Sequence, residues 1–374
     1  KQRNNKAAKG KKSNRLNPKR AATAQQPQSR IRLGKKFKIA TLNTKGIRRP
    51  GAREEIEKWM KEEDIKIVAL QETRLNTNSK EARGAYTWYF SGEYKTKNTD
   101  KNYTAGVGFV IDNKFIKYIE DVIPYTDRFM QIKLKGTCNI SIINVYMPPA
   151  VSLVYKTAED KELEYKKLEE ITNKAKGKGP TYILGDWNAR MQKQQNKDEK
   201  SVFGKWTLEP EKCKVQELSD DVQWNRRRCI QFCQKHHFFL ANTNFQKPKE
   251  KTATFRKPGI DIDQEITHKN HEQIDYIAVQ HRWKNSVLDA ESSTTSNIKS
   301  DHYPVVAKIR IKLKANKRGK GPGRQKYQES TKAQMQERNQ NILIKLKTLT
   351  ANGQEDLQTK TAQLNTILEE GTKE

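Results

Sequence analysis

Six short clusters in this chain set carboxylates, amides and an imidazole among strand-forming neighbours. They are Ala40-Thr41-Leu42-Asn43, Gln71-Glu72-Thr73, Asn144-Val145-Tyr146, Gly185-Asp186-Trp187-Asn188, Gln273-Ile274-Asp275-Tyr276 and Ser300-Asp301-His302. Each lies at one end of a run of β-branched and aliphatic residues. Carboxylate and amide oxygens can hold a hard divalent cation. A carboxylate or imidazole can take a proton from water, and further donors can stabilise a crowded phosphorus centre. That set suits hydrolysis of a phosphodiester, a reaction for which a catalyst must supply more than ~15 kcal/mol.

Glu72 follows Ile67-Val68-Ala69-Leu70 at the end of a buried strand and is the best metal ligand of the set. Asn43 closes the first strand and can give an oxygen to the metal or a hydrogen bond to the ligands beside it. Asp186 and Asn188 alternate across Trp187, so both face one side if the strand runs on; that pairs a base with an amide donor. Asp301 offers an oxygen ligand beside His302, and Asp275 is suited to fixing the tautomer of His302. Singly, each has an ordinary reading: a Glu after a strand is usually a solvated turn residue, and Asp-X-Asn is commonly an Asx turn. Their joint occurrence at strand ends carries the inference. Cys229 and Cys233, followed by His236 and His237, raise the question of zinc, but their spacing matches no standard finger. Four cysteines in 374 residues fit free thiols in a reducing compartment.

The elements that must position these residues follow from periodicity. Strands are expected at Phe37–Asn43, Ile65–Leu70, Tyr86–Phe90, Ala105–Ile111, Phe129–Leu134, Asn139–Tyr146, Thr181–Leu184, Phe238–Ala241, Thr252–Phe255, Ile274–Val279 and Pro304–Ile311. Helices are expected over 51–63, Glu159–Lys176 and Trp224–His237. Many short strands with a few helices between them indicate two packed sheets with helices outside, one domain over 37–313. Residues 1–36, basic and poor in apolar side chains, are expected to be a disordered tail. Residues 314–328 read as a basic linker. From Glu329 the pattern turns helical, broken at Asn352-Gly353, and this extension (329–374) looks too short for a domain of its own. The chain opens on Lys1, as a fragment or processed product would.

Net charge is +30, which favours a polyanionic partner, nucleic acid first, and disfavours a small-molecule substrate. Lys11-Lys12 and Pro18-Lys19-Arg20 could act as a nuclear import signal. No run of about 18 apolar residues exists, so no membrane span is expected.

Together, the clusters closely resemble the endonuclease/exonuclease/phosphatase superfamily over about 37–313. The resemblance implies a four-layered α/β-sandwich, two packed and mostly antiparallel β-sheets flanked by helices. It implies a phosphoesterase dependent on magnesium or manganese. By it, Glu72 is the main metal ligand with Asn43 beside it, and Asp301 and Asp186 also meet metal. Asp186 would activate the attacking water or assist the leaving group, Asn188 would bind a non-bridging oxygen, and Tyr146 would act from the leaving-group side. His302, held by Asp275, would contact the scissile phosphate, and Thr254 matches a site threonine.

Within the superfamily the chain looks most like the endonuclease domain of a LINE-type (non-LTR) retrotransposon polyprotein. Asn225-Arg226-Arg227-Arg228 with Phe232-Cys233, Leu240-Ala241-Asn242-Thr243-Asn244-Phe245 and Gln273-Ile274-Asp275-Tyr276-Ile277 carry this. Phe255 departs from it, standing where Trp is frequent. The resemblance implies nicking of double-stranded DNA to leave a 3′-hydroxyl that primes reverse transcription, with RNA a further partner for the basic tails. Competing expectations are an abasic-site repair endonuclease, another phosphoesterase of the superfamily, and a catalytically inactive nucleic-acid binder derived from a mobile element.

Overall fold

The computed structural model describes residues 30–92, 105–152, 154–175, 177–294, 296–312, 332–351, 359 and 361–366. Most of the expected tail and all of the linker at 314–328 lie outside these residues. The end of the tail segment does not: Ile31 is buried, and its N–H donates to Lys135 O at 2.9 Å.

In chain order the strands are β1 (Lys36–Asn43), β2 (Ile65–Gln71), β3 (Ser79–Arg83), β4 (Tyr86–Ser91), β5 (Val107–Asp112), β6 (Ile119–Pro124), β7 (Phe129–Leu134), β8 (Ile140–Tyr146), β9 (Thr181–Asp186), β10 (Phe238–Leu240), β11 (Phe255–Arg256), β12 (His271–Glu272), β13 (Asp275–Gln280), β14 (Val287–Ser292) and β15 (Val305–Arg310). The helices are α1 (Ala52–Glu62), α2 (Asn113–Ile116), α3 (Ala158–Ala175), α4 (Asp220–His236) and α5 (Lys332–Ala351). One sheet runs β14-β15-β1-β2-β5-β4-β3 and the other β10-β13-β9-β8-β7-β6, with β11-β12 as a separate ribbon. Each large sheet has a single parallel pair, β1 with β2 and β8 with β9; the other pairings are antiparallel.

The alternation of side chains along these strands makes the layers. In β1, Phe37 and Ile39 face the second sheet, where they share a core with Ile132, Ile142, Leu184 and Ile277. Ala40 and Leu42 face the other way, onto Ile56, Trp59 and Met60 of α1. Across the second sheet, Ile143, Ile183 and Tyr276 turn outward onto Tyr165 and Leu168 of α3 and Cys229 and Phe232 of α4. The result is helix, sheet, sheet, helix, the expected four-layered sandwich.

The edge strands β3, β6 and β14 and the short α2 were not expected from periodicity. Ser-Lys-Glu-Ala-Arg in β3 is too polar and too exposed to show a buried face. The strand expected at Thr252–Phe255 is instead a tight turn followed by the two-residue β11. Beyond Leu313 the chain forms a second unit, holding α5. Leu343 and Ile344 of that helix are exposed.

Candidate active site

Backbone pairing gathers the site. Asn43 is in register with Gln71 across β1 and β2, so Glu72 lies one residue past the pair. Tyr146 is in register with Asp186 across β8 and β9, and Asp186 with Asp275 across β9 and β13. An isolated bridge between Phe255 and His302 brings in the last member. The tight approach of β9 to β8 needs a glycine at 185, because a Cβ there would lie 1.9 Å from Val145 O.

The side chains form a connected network. Tyr146 donates its hydroxyl to Glu72 Oε1 at 2.8 Å. Asn43 Nδ2 donates to Glu72 Oε1 and to Asp186 Oδ2, both at 3.0 Å. His302 Nε2 lies 3.9 Å from Asp186 Oδ2, and His302 Nδ1 is 3.0 Å from Asp275 Oδ2. Asn188 joins through its backbone N–H, which donates to Asp186 Oδ1 at 2.9 Å. Its side-chain Nδ2 donates to Met147 O at 2.9 Å, leaving one amide hydrogen for another acceptor. The expected continuation of β9 through Asn188 does not occur. Both Asn188 and Glu72 are left-handed, with φ of 48°, a strain of roughly 1–3 kcal/mol each that the surrounding bonds hold in place.

Protonation follows from burial and charge. Burial raises the Asp186 carboxyl to about 7, with the neighbouring Asp275 charge adding to it; His302, the Asn43 amide and the Asn188 N–H oppose the rise. Burial alone would lower His302, but the Asp275 carboxylate, aided by Asp186 and Asp301, carries it up to about 10. His302 is therefore an imidazolium between carboxylates at neutral pH. Burial, with the charge of Glu72, pushes the Tyr146 phenol well above its ordinary range, so it stays a neutral donor. Asp186 is poised to exchange a proton near neutrality.

The donor set fits a divalent cation. Glu72 Oε2 has one described contact, Arg74 Nη2 at 3.5 Å. Asp275 Oδ1 is buried with no hydrogen-bond partner among the described residues. Ligand atoms of Asp186, Asp275 and His302 lie within 4.8 Å of one another, the one such cluster among the described residues. That trio is not the expected set of Asn43, Glu72, Asp186 and Asp301. A cation among the trio would meet the His302 imidazolium, whereas Glu72 is the more exposed carboxylate. Asn43 Oδ1 is occupied by the Lys45 N–H at 3.1 Å, so Asn43 here serves as an amide donor between two carboxylates. Asp301 is ion-paired with Lys45 Nζ and stands outside the trio.

Thr254 does not point into the pocket. Its Oγ1 accepts the N–H groups of Ile274 and Asp275 at 2.9 and 3.1 Å, so it sets the start of β13 and the aim of Asp275. Phe255 packs its ring on His302 at 4.7 Å between centroids. Cys229 and Cys233 are core residues against the second sheet; the described metal-competent cluster does not include them.

Several contributors were not read from the sequence. Gln71 Nε2 donates to Asn144 Oδ1 at 2.6 Å, and Asn144 Nδ2 donates to Leu70 O and Gly108 O at 2.9 and 2.7 Å. These buried amides tie one sheet to the other beneath Glu72 and Tyr146. The buried Arg128 stacks on the Tyr146 ring at 4.6 Å and donates to Tyr146 O. Ser300 Oγ donates to Asn43 O and accepts the His302 N–H, fixing the approach of His302. The Gln71 and Asn144 letters were visible beside the motifs, but an amide in a strand gives no sign of its partner.

The four-layered sandwich and its polar rim agree with what sequence comparison shows. The chain belongs to the endonuclease/exonuclease/phosphatase family, whose profile matches residues 40–302. Members are generally nucleases and phosphatases, typically dependent on a divalent metal. Craniofacial development protein 2 of Bos taurus is 26% identical over 292 residues, 77% of this chain and 43% of that protein. The chain thus spans less than half the length of the curated relatives it matches. Among solved structures, the AP endonuclease LMAP of Leishmania major has a TM-score of 0.53 at 16% identity, covering 74% of this chain and 88% of that one. The 3′ phosphatase NExo of Neisseria, bound to a product DNA hairpin, has a TM-score of 0.51 at 18% identity, covering 74% of this chain and 100% of that one. These likenesses describe the fold.

Proposed function

We propose that this chain is a metal-dependent endonuclease that nicks double-stranded DNA, as the endonuclease domain of a non-LTR retrotransposon does to prime reverse transcription. The observation that carries the reading is the bonded network Tyr146–Glu72–Asn43–Asp186. With it stand the Asp275–His302 pair and the family match. Glu72 is the principal residue to hold magnesium or manganese, with Asp186 beside it. A cation bound there supplies charge neutralisation at the non-bridging oxygens. Asp186 takes the proton of the attacking water. His302, kept cationic by Asp275, offers its Nε2 side to the phosphate. Asn188 gives its remaining amide hydrogen to a non-bridging oxygen, and Tyr146 acts as a neutral donor toward the leaving oxygen. The +30 charge supports a nucleic-acid substrate, and the basic N-terminal segment supports work in the nucleus.

The test is conversion of supercoiled plasmid to open circle with magnesium, against EDTA. The expected result is nicking by the parent and a loss of about 10²–10⁴-fold in Glu72→Ala and Asp186→Ala. Equal nicking by both variants overturns the site. A large preference for duplex carrying an abasic site reassigns the protein to repair, and DNA binding without cleavage in magnesium makes it an inactive binder.

A further inference from the structure

A second cleft of about 640 Å³ lies at the other ends of β8 and β9. Ile140 and Thr181 line it, while Tyr146 and Asp186 end the same strands at the catalytic rim. At about 3.3 Å per residue the two places are roughly 20 Å apart. The cleft is lined by the basic side chains of Arg30, Lys133, Lys135 and Lys178 against one acid, Glu120. Glu120 is partly occupied by Asn139, whose Nδ2 reaches it at 3.5 Å. Lys133 is loosely held, 3.7 Å from Asp121. On the floor, Thr181 is 1% exposed, yet its Oγ1 meets no described partner. Among the described residues no aromatic side chain lines the cleft to give bases a stacking surface.

Charge, hydroxyl donors and shape therefore match phosphate rather than base. The hydrogen bonds of Ile31 with Lys135 and Thr137 root the N-terminal segment beside the cleft. The sequence ahead of Arg30 is rich in Lys and Arg and has no Asp or Glu. We infer that the rim opposite the catalytic pocket carries a second nucleic-acid site, which takes the sugar-phosphate backbone of a single strand other than the one being cut. A cleft of this size has room for a short stretch of one strand. Arg30, Lys133, Lys135 and Lys178 meet the phosphates. The assignment stands independently of cleavage.

The experiment measures fluorescence anisotropy of labelled oligo(U) and oligo(dT) with the full chain in EDTA, over a salt series. Lys133→Ala/Lys178→Ala is expected to weaken binding roughly ten-fold and to flatten the log K against log[salt] slope by about 1.4, two phosphate contacts at ~0.7 each. A control pair on exposed helix positions, Lys58→Ala/Lys235→Ala, removes the same charge and is expected to change the slope little. An unchanged slope in the first pair, or equal losses in both, overturns the site. So does binding of inorganic polyphosphate with neither oligonucleotide bound. Ultraviolet crosslinking of the unmodified chain to oligo(U) keeps the test open if a variant misfolds. Crosslinked peptides spanning 131–141 and 177–181 support the site; crosslinks confined to the catalytic rim overturn it.

Discussion

The strands β1, β2, β5 and β4 follow the same plan as β8, β9, β13 and β10. In each, a parallel pair joined through a helix is followed by two antiparallel neighbours. Each half delivers a carboxylate at the end of its second strand, but not in the same way. Asp186 is still within β9, and its side chain is 2% exposed. Glu72 lies one residue beyond β2 in a left-handed turn, and its side chain is 17% exposed. One step of backbone thus separates a carboxyl that burial raises to about 7 from a more exposed one, which we propose as the metal ligand. Two copies of a local plan need not yield two copies of a chemistry.

The sharpest way to break this comparison is to neutralise each acid without changing its shape. Glu72→Gln is expected to weaken magnesium or manganese binding about 10–100-fold by calorimetry, with activity falling alongside. Asp186→Asn is expected to keep cation affinity within a few-fold while nicking drops about 10²–10⁴-fold. Identical behaviour in both assays would mean the halves are chemically equivalent.

His302 tests the second half through pH. Its folded value of about 10 lies above that of a free imidazole, near ~6.5. The stability it contributes is therefore complete below about 6.5 and lost as pH rises through about 10. His302→Gln should cost about 3 kcal/mol in urea unfolding at pH 6, with a smaller difference from the parent above pH 10. A difference that grows with pH would contradict the imidazolium.

Asn144→Ala removes the amide link between the halves and strands Leu70 O, Gly108 O and Gln71. A loss of about 2–3 kcal/mol is expected, with activity falling further than stability accounts for because Glu72 and Tyr146 lose their common register. Stability loss with unchanged kcat would reduce the link to a core contact. The smallest effect belongs to Thr254→Val, about 1–2 kcal/mol from two unsatisfied amides. Thr254→Ser should restore both stability and the His302 pH response, whereas a residue touching substrate would not be rescued on both counts.

The sandwich and seven members of the pocket were legible because strands end at fixed places and their last residues share a rim. Asn43, Tyr146 and Asp186 are last residues of strands, Glu72 and Asn188 lie just past such ends, and Asp275 and His302 come at or just before the starts of strands that run the other way. What escaped depends on orientation across space. The aim of Thr254 toward the backbone and the pairing of Asp301 with Lys45 are set by residues distant in sequence, as is the buried exchange between Gln71 and Asn144. A left-handed turn, not a continuing strand, brings the Asn188 N–H to Asp186. Edge strands such as β3 were missed because an edge exposed to solvent has little need of apolar alternation.

β15 hydrogen-bonds antiparallel to β1, so the last strand of the sandwich to leave a ribosome closes against the first. His302 precedes that strand by three positions. A nascent chain halted earlier holds most of the pocket residues yet lacks the imidazolium and the strand that seats it. In such an arrangement the pocket is assembled only once β15 has been made and paired with β1.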